Sequence, residues 1–505
     1  MDFVPASTAL LGLLGAVIIF GTYRYRFDKL RHIPIVGASS VPGLSYISGF
    51  KYFIRAKQIL NEGCEKYGDN GGIFRVAQSD QWAVVVTSPQ LIDELRRFPD
   101  DQMSLRHGLG EMTAASYVFG TKFTSALLIP QIFQYLGRQV GERVDAVHDE
   151  MVLAFSDLIP TAADGEWAGV LGFSTIVSLV SRMTNRVLVG KPLCRDPGFM
   201  KLATNVPLDL LQARAVVNLF PNLLKPLVAR LFSPFPRRVQ ECKPFIESEL
   251  QDRIRIAKEE GGDANRYDDF FQVLVQELVA LDSTVDSIIS SLFVLEFGAL
   301  HTTAISFTHA LFELAANPEY ARELRHEAQA VSKDVNGVWN KDAIARLTRH
   351  DSFLKETMRV YGTNATSLFR KAMRDVTFSN GTHIPKGTLV IAAAKHAHFN
   401  EDSYASPDVF DPWRFVLTEK DKGTFNHNVT TPRVDYLPFG LGKHSCPGRF
   451  FAALEMKIML AHIVVNYDVQ FENGGPRPKE KWMVTSILPD RTAKVYFRKR
   501  KTGSI

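Results

Sequence analysis

The chain has 505 residues, 46 % of them apolar and 35 of them phenylalanine, which is enough to bury a large core. Its net charge of +5 is small and dispersed, which argues against a nucleic-acid-binding stripe. The four cysteines, Cys64, Cys194, Cys242 and Cys446, lie far apart with no C-x-x-C pair, so neither a zinc site nor a disulfide framework is expected, and the usage fits a reducing compartment.

Residues 3–23 carry no charge and residues 9–20 are nearly all apolar, close to the roughly 20 residues that span a bilayer. Arg24, Arg26, Lys29 and Arg31 follow at once. The positive-inside rule then places the body on the cytosolic side. A cleaved signal peptide would carry its basic residues before the apolar run and a small-x-small site after it; this order is reversed here and no such site intervenes. The reading is an uncleaved membrane anchor over 1–23 and a basic, Pro-containing linker over 24–37, with a stiff hinge at His32-Ile33-Pro34-Ile35-Val36-Gly37. One body follows over 38–505. Length alone suggests two or three domains, yet no composition shift, repeat or low-complexity tract divides this body.

Along the body, Ile73-Phe74-Arg75-Val76 and Trp82 to Val86 flank Gln78-Ser79-Asp80 and predict a β-hairpin. Helical periodicity dominates from about residue 140 to 360. Val216-Val217-Asn218-Leu219-Phe220-Pro221-Asn222-Leu223-Leu224, with Leu227, Val228, Leu231, Phe232 and Phe235, predicts an apolar patch between two helices, either an interaction site or ordinary core. Val285 to Ala316 contains no proline and is apolar on most faces. It predicts a helix about 48 Å long that crosses the interior. Asn317-Pro318-Glu319 predicts the start of the next helix, with Asn317 as its cap. After Gly362 the texture turns to strands, with turns at Ser379-Asn380-Gly381 and Pro385-Lys386-Gly387. Residues 399–422 read as irregular, residues from Arg449 as helical, and Met483 to Leu488 with Ala493 to Phe497 as a closing hairpin about Pro489-Asp490. The fold class is mainly α with small β-sheets.

Several constellations carry chemistry. Gly298-Ala299-Leu300-His301-Thr302-Thr303 places small residues and a hydroxyl midway along the long helix; a buried Thr there can also simply bond the carbonyl four residues back. Glu356 and Arg359 share a helix face at i and i+3, and such a pair must have its hydrogen bonds completed if it is buried. His396-Ala397-His398 has no third ligand at metal spacing. Near the end stands Phe439-Gly440-Leu441-Gly442-Lys443-His444-Ser445-Cys446-Pro447-Gly448. A lone thiolate in a Gly-punctuated loop that opens a helix is a way to present one sulfur to haem iron, where it favours O–O cleavage. Gly442 and Gly448 permit tight turning and close approach to a flat macrocycle, Phe439 packs edge-on near the sulfur, N–H groups after Cys446 bond the thiolate, and Pro447 gives up a donor at a helix start. A buried structural cysteine before a Pro-Gly turn is the plainer alternative.

This last segment resembles the cysteine loop of the cytochrome P-450 family, Phe-x-x-Gly-x-x-x-Cys-x-Gly, met by Phe439, Gly442, Cys446 and Gly448. Glu356 and Arg359 match the family's Glu-x-x-Arg, and Arg414, in Phe410-Asp411-Pro412-Trp413-Arg414-Phe415, matches the later Arg that completes it as a structural triad. Thr302 matches the family's oxygen-side Thr, while His301 stands where the family's acid is usual. His301 can relay protons near neutral pH, so Thr302 and His301 are the catalytic candidates. His444 and Arg370 match positions that bind haem propionates, Arg370 being otherwise an exposed strand-edge charge. The family's Trp-x-x-x-Arg has no match in 127–138.

The resemblance covers about residues 32–498 and implies the haem-thiolate fold, haem b (iron protoporphyrin IX) with Cys446 as axial ligand, and monooxygenation of an apolar small molecule with O2. The form around Thr302 resembles enzymes of filamentous fungi that act on terpenoids and other apolar secondary metabolites. Electrons would come from NADPH through a partner NADPH-cytochrome reductase, since no G-x-G-x-x-G in strand–helix context is present. The location implied is the endoplasmic reticulum membrane, single-pass, with no nucleic-acid partner. Alternatives are a reductase-independent isomerase or dehydratase, to which the missing acid points, and a non-catalytic haem-binding membrane protein. Pocket residues fall in loops such as 101–124.

Overall fold

The computed structural model describes residues 28–38, 45–68, 70–78, 81–119, 140–160, 165–220, 224–258, 267, 269–281, 283–416 and 428–501. The anchor expected over 1–23 and the first part of the linker lie outside them. Helices of eight or more residues are α1 (Ser45–Tyr67), α2 (Pro89–Arg97), α3 (Leu105–Met112), α4 (Val144–Leu158), α5 (Gly172–Leu188), α6 (Pro197–Val217), α7 (Lys225–Phe232), α8 (Phe235–Lys258), α9 (Phe270–Ala280), α10 (Val285–Ala316), α11 (Tyr320–Asp334), α12 (Thr348–Tyr361) and α13 (Arg449–Asn466). The strands are β1 (Ile35–Val36), β2 (Ile73–Ala77), β3 (Trp82–Val86), β4 (Met103–Ser104), β5 (Ala168–Leu171), β6 (Ser367–Ala372), β7 (Val376–Thr377), β8 (His383–Ile384), β9 (Leu389–Ala392), β10 (Tyr467–Gln470), β11 (Lys481–Met483), β12 (Ser486–Leu488) and β13 (Lys494–Lys499). Helices dominate, as expected.

The largest sheet runs β1-β2-β3-β9-β6-β4. Its first hairpin pairs Ile73 with Val86 and Ala77 with Trp82, the hairpin expected of these two segments. β7 and β8 pair around Gly381, whose φ of 83° suits the turn. The C-terminal end departs from expectation. Val484 adopts φ 55° and closes β11 onto β12, so the hairpin lies within 481–488. β13 instead sits between β10 and β5, with Val495 and Phe497 buried in the main core. Asn317 also differs: its amide and carboxamide both bond the Glu313 carbonyl at 3.0 Å, so it finishes α10 and leaves the next helix to begin at Tyr320.

Helix α10 organises the interior. Thr284 caps it by accepting the Ser287 N–H at 3.3 Å. It is long and apolar enough to cross a membrane, but most of it is buried inside the protein. Its first turns, Ile288 to Val294, join the apolar cluster built with α6, α8 and α9. Its last turns, Ala304 to Ala315, join the cluster built with α4, α5, α12 and α13. The turn between them, Gly298 to Thr302, belongs to neither, and that break positions the site.

One buried group on α10 leads to a prediction. Glu296 is fully buried, and neither carboxylate oxygen has a hydrogen-bond partner. Burial pushes its carboxyl up to about 8. The folded chain therefore holds a proton on Glu296 that the unfolded chain releases near pH 4.5, and stability from the neutral form is lost as pH rises through about 8. Glu296→Gln is expected to melt with the parent at pH 5 and at least about 2 °C above it at pH 8.5, measured by calorimetry. A constant difference at both pH values would sink the assignment.

Candidate active site

The loop before α13 holds Cys446 by backbone bonds. Its N–H donates to the Phe439 carbonyl at 2.7 Å, and Ser445 donates through both N–H and Oγ to the Gly442 carbonyl. Gly440 and Gly442 adopt φ 70° and 74°, left-handed turns that a side chain resists. Gly448 has an ordinary φ of −80°, and a Cβ there would lie 4.0 Å from the Cys446 sulfur. Of the two reasons expected for Gly448, a special backbone angle is therefore not required here. Pro447 lies in the turn before α13, whose cap is Gly448, so it precedes the first helical position. The thiol is reachable by solvent, yet burial raises its pKa, opposed by the Gly448 and Arg449 N–H groups and the Arg449 charge. The sulfur is thus one that solvent reaches but the surrounding protein largely desolvates.

Across the fold, α10 shows the same signature. Gly298 and Thr302 are exposed although their helix runs through the core, and a Cβ at Gly298 would meet nothing within 4 Å. Leu295, Ala299 and Ile305 are partly exposed on the same stripe. Thr302 Oγ1 donates to the Gly298 carbonyl at 2.7 Å, the local bond expected of a helical Thr, and does so on the exposed stripe. His301 points elsewhere. It is buried, and its Nε2 bonds the Thr204 carbonyl of α6 at 3.1 Å, which requires the proton on Nε2. Desolvation lowers its pKa. The structure does not bring the His301 and Thr302 side chains together.

Two basic side chains sit beside the cysteine loop, Arg370 and His444. Arg370, on β6, is buried, with Nη1 donating to the Phe369 carbonyl at 3.0 Å and no carboxylate at ion-pair distance among the described residues. The exposed strand-edge alternative is thereby removed. Desolvation brings Arg370 down to about 10. Gly108 of α3 packs on it so tightly that a Cβ would come within 2.8 Å of the Arg370 backbone. His444 Nε2 bonds Asp100 at 2.6 Å, with Lys443 at 3.2 Å from the same carboxylate. Desolvation pulls the His444 ring down and nearby Arg370 adds to that, against the bond to Asp100. Among the described residues Asp100 is the one carboxylate bonded to Lys443 and His444, so Arg370 and Lys443 leave an excess of positive charge able to bind carboxylates.

Glu356 is fully buried and accepts four hydrogen bonds. They come from Arg359 Nε and Nη2 at 2.7 Å each, the Asp411 N–H at 3.0 Å and Arg414 Nε at 3.1 Å. All three expected residues therefore meet. Arg359 Nη1 reaches the His398 carbonyl at 2.8 Å, and the His398 ring bonds the Arg359 carbonyl and the Leu437 N–H. Leu437 lies two residues before Phe439. His398 thus couples the buried ion pair to the cysteine loop, a role invisible in the short His-x-His motif. Asp100 also escaped sequence reading, since its partners lie 343 and 344 residues away.

A mainly helical fold with one loop-held, accessible thiol ahead of α13, a hydroxyl-bearing exposed stripe on an otherwise buried long helix, and a cationic patch at the loop fits the haem-thiolate class of proteins. The family model described as Cytochrome P450 matches residues 45–497, and the chain belongs to that family. It is 38 % identical to Cytochrome P450 monooxygenase 151 of Postia placenta, over 99 % of this chain and all of that protein. It is 32 % identical to Cytochrome P450 monooxygenase paxQ of Penicillium paxilli, over the full length of both, and 28 % identical to Cytochrome P450 monooxygenase CYP512U6 of Ganoderma lucidum, over 99 % and 97 %. The relatives are monooxygenases by name, and the chain is an oxidoreductase of that kind.

Proposed function

We propose that this enzyme inserts one atom of O2 into a C–H or C=C bond of an apolar small molecule, a terpenoid or related secondary metabolite, using electrons that a separate reductase carries from NADPH. The observation that carries this reading is the accessible Cys446 sulfur together with the uncharged stripe of Leu295, Gly298, Ala299, Thr302 and Ile305 left exposed on a helix that otherwise runs through the core. In this reading Cys446 holds the iron of haem b while Arg370 and His444 hold its propionates, and the bound haem supplies O2 activation. Thr302, steadied by Gly298, presents oxygen lone pairs on that stripe and handles protons there. His301 is a strut that holds α6 to α10, its ring proton committed to Thr204.

Thr302→Val keeps the side-chain volume and removes the hydroxyl. Product formed per NADPH consumed is expected to fall by about 10²-fold, the scale of a lost proton-transfer group, with NADPH oxidation continuing. Unchanged coupling would return Thr302 to a purely structural role. The reading as a whole is tested by co-expression with a fungal reductase and a panel of terpenoid scaffolds, with mass spectrometry of the products. A product one oxygen heavier, dependent on NADPH, supports it; turnover without NADPH or reductase supports the isomerase or dehydratase alternative.

We also propose a membrane-anchored, cytosol-facing enzyme of the endoplasmic reticulum, with the anchor over 1–23. The apolar patch supports it: Leu219, Leu227, Leu231 and Phe232 are each more than half exposed, although Val228 and Phe235 are core. Contiguous exposed apolar surface marks a membrane or partner site. A chain lacking 1–23 is expected to co-sediment partly with microsomes and to be released by combined Leu227→Ser, Leu231→Ser and Phe232→Ser. Full release by the truncation alone would remove the patch from this role.

A further inference from the structure

The lining of the α10 stripe is uncharged, but one cation stands apart on the helix above it. Helix α6 is tied to α10, one residue from Thr302, by its Thr204 carbonyl, which His301 reaches. It presents two stripes. Ala203, Val206, Leu210, Ala213 and Val217 are buried in the apolar cluster with α8 and α9. Thr204, Leu208, Leu211 and Ala215 recur at i, i+4, i+7 and i+11 and are partly exposed, the spacing of one helix face. Arg214 lies on the border of the two, three residues on from Leu211. It is about 200° round the helix from Gln212, which is on the solvent face.

A long cation in that position needs a partner. Among the described residues the Arg214 guanidinium makes no ion pair and no hydrogen bond. That includes the carbonyls at the end of its own helix, where the Asn218 N–H bonds the Arg214 carbonyl. Desolvation lowers its pKa although the side chain is partly exposed, with no carboxylate opposing the shift, as for a group opening onto an interior space. An unpaired cation amid apolar surface is costly unless something binds it, and Arg is suited to a bidentate carboxylate.

We propose that Arg214 receives a carboxylate at the far end of a long apolar substrate, and so selects lipophilic acids over their neutral counterparts. This rests on the monooxygenase reading given above. Ten residues of helix separate Arg214 from Thr204, about 15 Å along the axis, and Thr204 is at the level of His301, the neighbour of Thr302. The acid group and the oxidised carbon therefore lie at opposite ends of an extended molecule, a fused polycyclic acid or a long-chain acid. Arg214 acts as a specificity residue, remote from the reacting carbon.

The test uses the haem-loaded full chain and paired probes of one skeleton: a tetracyclic triterpenoid acid with its methyl ester, and hexadecanoic acid with its methyl ester. Dissociation constants come from the haem spectral shift on binding. The parent is expected to bind at least one acid about tenfold or more tighter than its ester. Arg214→Gln should abolish that preference by weakening the acid alone, and Arg214→Lys should retain part of it. No acid preference in the parent, or equal effects of Arg214→Gln on acid and ester, overturns the proposal. So does a variant with unchanged acid binding that loses affinity for vesicles of anionic phospholipid, since the guanidinium would then serve lipid headgroups. The reduced-CO spectrum of each variant reports the haem site separately, so failure here leaves the monooxygenase reading intact. Loss of oxygenated products from neutral substrates in the parent would overturn that reading while the acid preference remained measurable.

Discussion

Cys446→Ala, expressed with haem, is expected to lose the thiolate-type spectrum of the reduced CO complex and to oxidise substrate no faster than the haem-free chain, while its melting temperature stays within a few degrees of the parent. The second half of that result follows from how the loop is built. The bonds that shape it, from the Cys446 N–H to the Phe439 carbonyl and from Ser445 to the Gly442 carbonyl, use no atom of the cysteine side chain. The first half follows from the absence of a substitute. Burial pushes the Cys64 thiol up to about 12 and the Cys194 thiol to about 11, and holds Cys242 higher still. A thiolate is the competent ligand, and only Cys446 combines an accessible sulfur with two N–H groups aimed at it. Survival of the thiolate-type spectrum in Cys446→Ala would show that the ligand has been misassigned.

The parts of the site that could be read from sequence are those whose chemistry is local. A Gly-x-x-x-Cys-x-Gly loop, a Glu and Arg one turn apart, and a Pro-free apolar run of 32 residues announce themselves over a short window, and the run returned as α10 with the expected ends. Parts set by distant partners did not announce themselves. His301 fills the position of an acid and looks like a relay until α6, 97 residues earlier, is seen to occupy its ring. Asp100, His398 and Arg214 have no sequence signature, because each takes its meaning from a chain segment brought beside it by the fold. Proximity in sequence points β13 to a hairpin partner, but its apolar alternation is satisfied by β10 and β5 instead, which bury Val495 and Phe497.

Glu356→Ala is expected to be the most damaging substitution for folding. Four donors converge on this carboxylate, and Glu356 and Arg359 are both completely buried, with Arg414 mostly so. Removing it leaves the Arg359 guanidinium without its countercharge in the interior, where breaking a buried pair costs about 3–5 kcal/mol. That is a large share of the roughly 5–15 kcal/mol that holds a typical native state. The damage should also reach the haem loop by a definite route. Arg359 holds the His398 carbonyl, and the His398 ring, kept neutral by burial at about 3, bridges the Arg359 carbonyl to the Leu437 N–H just ahead of Phe439. The variant should therefore accumulate little soluble protein, and what is recovered should hold haem poorly. Glu356→Gln, which keeps the acceptor oxygen and loses the charge, should fall between. His398→Ala separates the two effects: it spares the ion pair, so the fold should largely persist while haem retention drops, measured as haem per protein after gel filtration. If His398→Ala retains haem fully while Glu356→Ala does not, the ion pair acts on the whole fold and the His398 route to the cysteine loop is wrong.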